Sequence, residues 1–164
     1  MRASYAGWIE QSLDEAEYLG EMSAKVTHNH SEGIKGAKVV AGSIFILKSG
    51  GSKQDVKKYA SELYDIDFTL DEIRENYYFD VSCQGSVPQA IVAFLEEKDF
   101  FDVISKAISI GGDSDTIAAI AGSMAEVINP IPQEFRGQVI DKLDDNLTKI
   151  LIEVIDFVYC GNRR

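Results

Sequence analysis

Gly111-Gly112-Asp113-Ser114-Asp115-Thr116-Ile117-Ala118-Ala119-Ile120-Ala121-Gly122-Ser123 is the stretch on which the reading of this chain turns. The paired glycines let the backbone turn tightly without side-chain bulk. Beyond them the chain reads as one helix over 115–128, and Pro130 and Pro132 end it. Its Ala, Gly and Ser residues let neighbouring backbones approach closely, which suits a central helix delivering its N-terminus into a site. Asp113, Asp115 and Thr116 place two carboxylates and a hydroxyl within one turn of that helix start. Hard divalent cations such as Mg²⁺ or Mn²⁺ seek oxygen clusters of this kind. The same residues also spell a helix N-cap, where acidic side chains favour the positive helix end. Spacing alone leaves both readings open.

Outward from this segment, helical spacing recurs in both directions and no segment sustains a period-two alternation. Ser12 and Glu15 form a capping-box pattern, and Leu13, Ala16, Leu19, Met22 and Val26 continue at helical spacing. A second helix is predicted over 32–48, with Ile34, Ala37, Ala41, Ile44 and Phe45 on one face. Gly50-Gly51 stops it. Ser52 with Asp55 and Thr69 with Glu72 start two more helices. Pro88 is expected in the first turn of another, followed by Ala90, Ile91, Phe94 and Leu95. A helix over 100–110 and two in the tail over 132–159 complete the pattern. The expectation is an all-α orthogonal bundle forming a single domain over 1–164.

Composition narrows the function classes. The chain has 164 residues, 45% hydrophobic and 26% charged, as in an ordinary globular domain. Its 27 acidic against 16 basic residues give a net charge of −11, which disfavours nucleic acid and anionic membranes as partners. No stretch reaches the roughly 18 apolar residues of a membrane helix. The first ten residues carry no signal-like apolar core, and Cys83 and Cys160 lie far apart with no CxxC spacing. A cytoplasmic protein is expected.

Two further segments could carry chemistry. Thr27-His28-Asn29-His30 holds both histidines of the chain. Imidazoles at i and i+2 could ligate a metal, or one could hydrogen-bond a phosphate or ribose. The alternative is a polar inter-helix loop with Asn29 or Ser31 capping the next helix. These letters also spell the HNH nuclease signature, but no ββα unit accompanies them and the acidic balance opposes DNA. In Phe79-Asp80-Val81-Ser82-Cys83-Gln84-Gly85-Ser86-Val87-Pro88, Cys83 is either a nucleophile, given a nearby His28, or a pocket-lining thiol.

Taken in order, residues 27–37, Ser86-Val87-Pro88-Gln89-Ala90 and 111–123 resemble the ADP-ribosylglycohydrolase family, which includes the ADP-ribosyl-dinitrogen reductase hydrolases. The resemblance implies an all-α fold with a binuclear Mg²⁺ or Mn²⁺ centre under an ADP-ribose cleft. It implies hydrolysis of the glycosidic bond between ADP-ribose and a protein or other acceptor. Asp113, Asp115 and Thr116 match metal ligands of the family, while His28, Ser86 and Gly112 match positions bordering the cleft, with 86–88 on a loop. The family's N-terminal Thr-Asp-Asp ligand motif has no counterpart here. Met1-Arg2 resembles the pair found directly after the family's Gly-Asn-Gly loop, so the likeness covers about the last three-fifths of a family member. The resemblance thus implies weak or partial metal binding and a chain that is catalytically incomplete alone. Its expected partners are a separately encoded N-terminal fragment or further copies of itself. A non-catalytic ADP-ribose-binding module and a truncated inactive remnant are the alternatives.

Overall fold

Every regular element among residues 2–158, which the computed structural model describes, is a helix. In chain order these are α1 (Ser4–Ile9), α2 (Leu13–Lys25), α3 (Ser31–Lys48), α4 (Lys53–Ser61) and α5 (Leu70–Ile73). Then come α6 (Cys83–Glu96), α7 (Phe100–Ser109), α8 (Ser114–Ile128), α9 (Gln133–Ile140) and α10 (Asp145–Asp156). Met1, Tyr159 and Cys160 lie outside the described residues.

Hydrogen bonds at the helix starts set most boundaries. Ser52 and Thr69 make complete capping boxes with Asp55 and Glu72. At α2 the box is one-sided: Ser12 Oγ accepts from the Glu15 amide at 3.3 Å and donates to the Glu15 carboxylate at 2.9 Å. His30, rather than Asn29 or Ser31, caps α3, its Nδ1 accepting from the Glu32 amide at 3.2 Å. Pro88 is the sixth residue of α6 and so lies in its second turn. The helix starts earlier than expected because Ser82 caps it, accepting from the Gly85 amide at 3.1 Å. Lacking an N–H, Pro88 cannot make the ladder bond to the Gln84 carbonyl.

Among the described residues the chain divides into two compact units after Pro130. In the second, α9 and α10 contribute no buried residue. The first is organised on α3, which packs against α1, α2, α4, α6 and α8. Its core side chains include Ile44, Leu70, Ile91, Phe94, Ile117 and Met124, all solvent-free. Each such side chain contributes roughly 1.5–3 kcal/mol through burial. Helix α2 turns its smallest residues, Ala16, Gly20 and Ala24, inward. A Cβ on Gly20 would lie 2.9 Å from the Ala37 carbonyl oxygen, so the two backbones meet where only hydrogen fits. Two lysines close helix ends from outside: Lys48 Nζ donates to the Trp8 and Glu10 carbonyls at 2.7 and 2.9 Å, and Lys53 to those of Phe94 and Glu97.

Candidate functional site

A cavity of about 480 Å³ opens where the starts of three helices meet the end of α2. Gly33 of α3, Ser82 and Cys83 of α6, and Asp113 and Thr116 of α8 all line it, and all belong to caps or first turns. Helix N-termini present unbonded amide N–H groups and the positive end of the helix dipole. Arg2 also lines the cavity. In a chain with a net charge of −11, Arg2 and the helix N-termini draw negative charge to this cavity, while the Asp113 carboxylate on its wall draws positive charge.

The start of α8 is shaped by Gly111 (φ +73°) and Gly112 (φ +65°), both in left-handed backbone. A Cβ on Gly112 would strike the Tyr77 ring. Asp113 occupies the N-cap position with ψ at 56°, and its carboxylate makes no capping hydrogen bond. The cap alternative offered by the sequence is therefore not the role this carboxylate plays. Asp113 and Thr116 face the cavity, whereas Asp115 is exposed and is not part of its wall. In kind, these oxygen donors fit a hard divalent cation; in number they supply one side of its coordination sphere. Among the described residues no three His, Cys, Asp or Glu side chains cluster closely enough to hold a metal.

Across the cavity, Arg2 donates to Thr27 Oγ1, which lies 2.7 Å from His28 Nδ1. His28 comes directly after the last turn of α2, its amide bonded to the Ala24 carbonyl at 2.7 Å. The missing side chain of Gly33 leaves room for the His28 carbonyl, since a Cβ there would come within 2.6 Å of it. The two histidines divide their work. His28 lines the cavity, and His30 is a structural cap.

The third wall comes from α6 and the segment before it. Burial pushes the Cys83 thiol upward, aided by the Glu32 charge, which disfavours the thiolate a nucleophile needs. Its sulfur packs where Gly36 lacks a side chain, 3.2 Å from an ideal Cβ. Ser86, expected on a loop, sits in the second turn of α6, buried, its hydroxyl 3.4 Å from the Asp80 carbonyl it donates to. Tyr77 binds this wall to α8: its hydroxyl donates to the Gly85 carbonyl at 2.6 Å while its ring covers Gly112. Burial, then the Asp80 and Asp113 charges, raise its pKa and keep it a donor.

The fold therefore brings His28, Ser86, Asp113 and Thr116 to one cavity and leaves Gly112 and Asp115 outside its wall. Sequence reasoning assigned no place at the cavity to Arg2 or Tyr77, and it named Thr27 only as part of the segment that carries His28. The adjacency of Thr27 to His28 was a usable signal; the reach of Tyr77 to residues 85 and 112 was not.

An all-α protein with a cavity at converging helix N-termini is the class these features define. The chain belongs to the ADP-ribosylglycohydrolase family, which it matches over residues 1–156. It is also similar to an uncharacterised protein of Archaeoglobus fulgidus, at 29% identity over 145 residues. That match covers 76% of this chain and 46% of the archaeal protein, so the chain spans about half the length of the curated relative it matches. Among the described residues no helix is long and apolar enough to cross a membrane.

Proposed function

We propose that the cavity binds ADP-ribose, free or attached to a protein, and that the chain contributes to hydrolysis of the bond joining it to its acceptor. The observation that carries this reading is the convergence of the α3, α6 and α8 N-termini and Arg2 on one cavity in an acidic chain. First-turn amides and the Arg2 guanidinium suit the diphosphate. His28 and Ser86 suit ribose hydroxyls, and Gly112, outside the wall, gives the Tyr77 ring its place against the turn before α8. Asp113 and Thr116 would supply oxygen donors on one side of a bound Mg²⁺ or Mn²⁺, whereas Asp115, matched to a ligand by the family resemblance, stands outside the cavity wall. When bound, such cations would neutralise phosphate charge and polarise water. The residues' own part is to orient the ribose and exclude solvent around its anomeric carbon.

The short donor set favours a second reading, in which the chain alone binds ADP-ribose without turning it over. The two cysteines without CxxC spacing suit a cytoplasmic setting. Calorimetric titration of ADP-ribose with and without Mg²⁺ tests binding, and release of ADP-ribose from a modified protein tests turnover. Binding with turnover supports the first reading and binding alone the second; no binding overturns both.

A further inference from the structure

Among the described residues three helices have aspartate at the N-cap, and two of those aspartates cap in the ordinary way. Asp99 and Asp144 stand in extended backbone with ψ at 168°, and each carboxylate accepts from the amide three residues on at 2.9 Å. Asp113 differs: its ψ is 56°, its side chain makes no capping hydrogen bond, and it lies on the cavity wall. A cap bond is among the stronger local interactions open to an aspartate at a helix start, so a restraint ahead of Asp113 must withhold it. The residue type is the same at all three starts. What differs at α8 is the turn before it, with Gly111 at φ +73° and Gly112 at φ +65°.

Nothing lies within 4 Å of the place a Cβ on Gly111 would take, whereas the three atoms nearest that place on Gly112 all belong to the Tyr77 ring. The far end of the ring is anchored, since its hydroxyl donates to the Gly85 carbonyl at 2.6 Å. Gly85 is itself held: its amide donates to Ser82 Oγ at 3.1 Å, and the Asp80 carboxylate fills the space a side chain would need. We infer that Tyr77 is a positioning residue, a strut between α6 and the glycine turn that withholds Asp113 from the cap of α8 and keeps its carboxylate available to a divalent cation in the cavity. A capping carboxylate folds back over the N2 or N3 amide, so capping and facing the cavity compete for one side chain. The cation rests on the function proposed above; the withheld cap does not.

Amide hydrogen exchange of the full chain, read by NMR at Asp115 and Thr116, reports the cap, and the mid-helix Ala121 amide corrects for opening of the whole helix. In the wild-type chain Asp113→Ala should leave both rates within about twofold, since there is no cap bond to lose. Tyr77→Leu removes the strut and should slow at least one of them about fivefold, the effect of a new cap bond. Adding Asp113→Ala to that variant should restore the wild-type rate. Tyr77→Phe keeps the ring in the packing and removes only the anchor, and it should slow the same amide in a chain that keeps its fold. A merely structural Tyr77 gives the opposite sign, faster exchange as the turn frays. Faster or unchanged exchange in both variants overturns the proposal, and so does a wild-type cap that Asp113→Ala removes. Mn²⁺ affinity, read from the EPR signal of the free ion, should fall at least about tenfold in Tyr77→Leu and no further on adding Asp113→Ala. Undiminished affinity in Tyr77→Leu overturns the proposal as well. A wild-type chain that takes up no Mn²⁺ would remove the cation from the function proposed above, and the exchange rates would still decide the role of Tyr77.

Discussion

The Tyr77 hydroxyl donates to the Gly85 carbonyl at 2.6 Å, and in doing so it holds an aromatic ring over Gly112. One side chain thus ties the first turn of α6 to the glycine turn before α8. Two of the three helix starts around the cavity are fixed relative to each other by this contact.

The two glycines before α8 should respond differently to alanine. Both have positive φ, so either substitution costs about 1 kcal/mol in backbone strain. Around Gly111 nothing lies within 4 Å of a new Cβ, whereas at Gly112 the Tyr77 ring must move. Urea denaturation should show Gly112→Ala losing at least about 1 kcal/mol more than Gly111→Ala. Equal losses would contradict the packing described.

Asp113 makes no capping hydrogen bond, so its carboxylate should matter little to the apo fold. Asp113→Asn is expected to change stability by less than about 0.5 kcal/mol, since Asn and Asp are near-equivalent at this position. Ser82→Ala, which removes a cap, should cost about 1 kcal/mol. Thermal melts with Mn²⁺ should show a rise in Tm for the wild-type chain and none for Asp113→Asn. A rise retained in the variant would remove Asp113 from the ligand set.

Tyr59 links α4 to α2: its hydroxyl donates to Glu17 Oε1 at 2.8 Å, and its ring fills the space left by Gly42. Burial, followed by the hydrogen bond to Glu17, raises its pKa, so it stays a donor at any ordinary pH. Tyr59→Phe should cost about 1.5–3 kcal/mol in chemical denaturation, the range for a hydrogen bond to a charged group. Glu17 also pairs with Lys38 at 3.0 Å, so the low end is expected.

Acid should destabilise the first unit through its caps and surface pairs. The Ser52 hydroxyl and amide hold Asp55 below its ordinary pKa, the Thr69 amide and hydroxyl do so for Glu72, and Arg74 and Lys106 for Asp71. Each contributes stability that is present above the unfolded carboxylate range near about pH 4. That contribution is lost as pH falls through the lowered folded-state values. Asp102, raised by its hydrogen bond with Asp99, runs the other way, favouring the fold as pH drops. With five lowered carboxylates, Glu21 and Asp80 included, against one raised, urea midpoints should fall between about pH 5 and about pH 2. Ser52→Ala should make that fall shallower, because Asp55 then keeps the residue-52 amide but loses the hydroxyl that donates to it.

Much of the fold was legible because its signals are local. Ser52 with Asp55 and Thr69 with Glu72 bond within four residues, so their helices start where the letters say. Gly50 at φ +90° ends α3 for an equally local reason. Position 88 was misplaced because Ser82 draws the residues ahead of the proline into the helix, a choice made by a cap that competes with the turn-like look of residues 77–85.

At the site, the sequence by itself determined which residue types stand in which order: the Gly111-Gly112 turn, the oxygens of Asp113, Asp115 and Thr116, and the Thr27-His28 pair. It also determined the all-helical pattern, since periodicity and caps act over one or two turns. Only the tertiary structure decided that His28, Ser86, Asp113 and Thr116 share a cavity while Asp115 turns to solvent. It alone separated His28 from His30 in role and set Tyr77 against Gly112. These relations arise from helices brought side by side, and the rotation of each helix about its axis is fixed by the small residues it packs on. No spacing along the chain records that rotation.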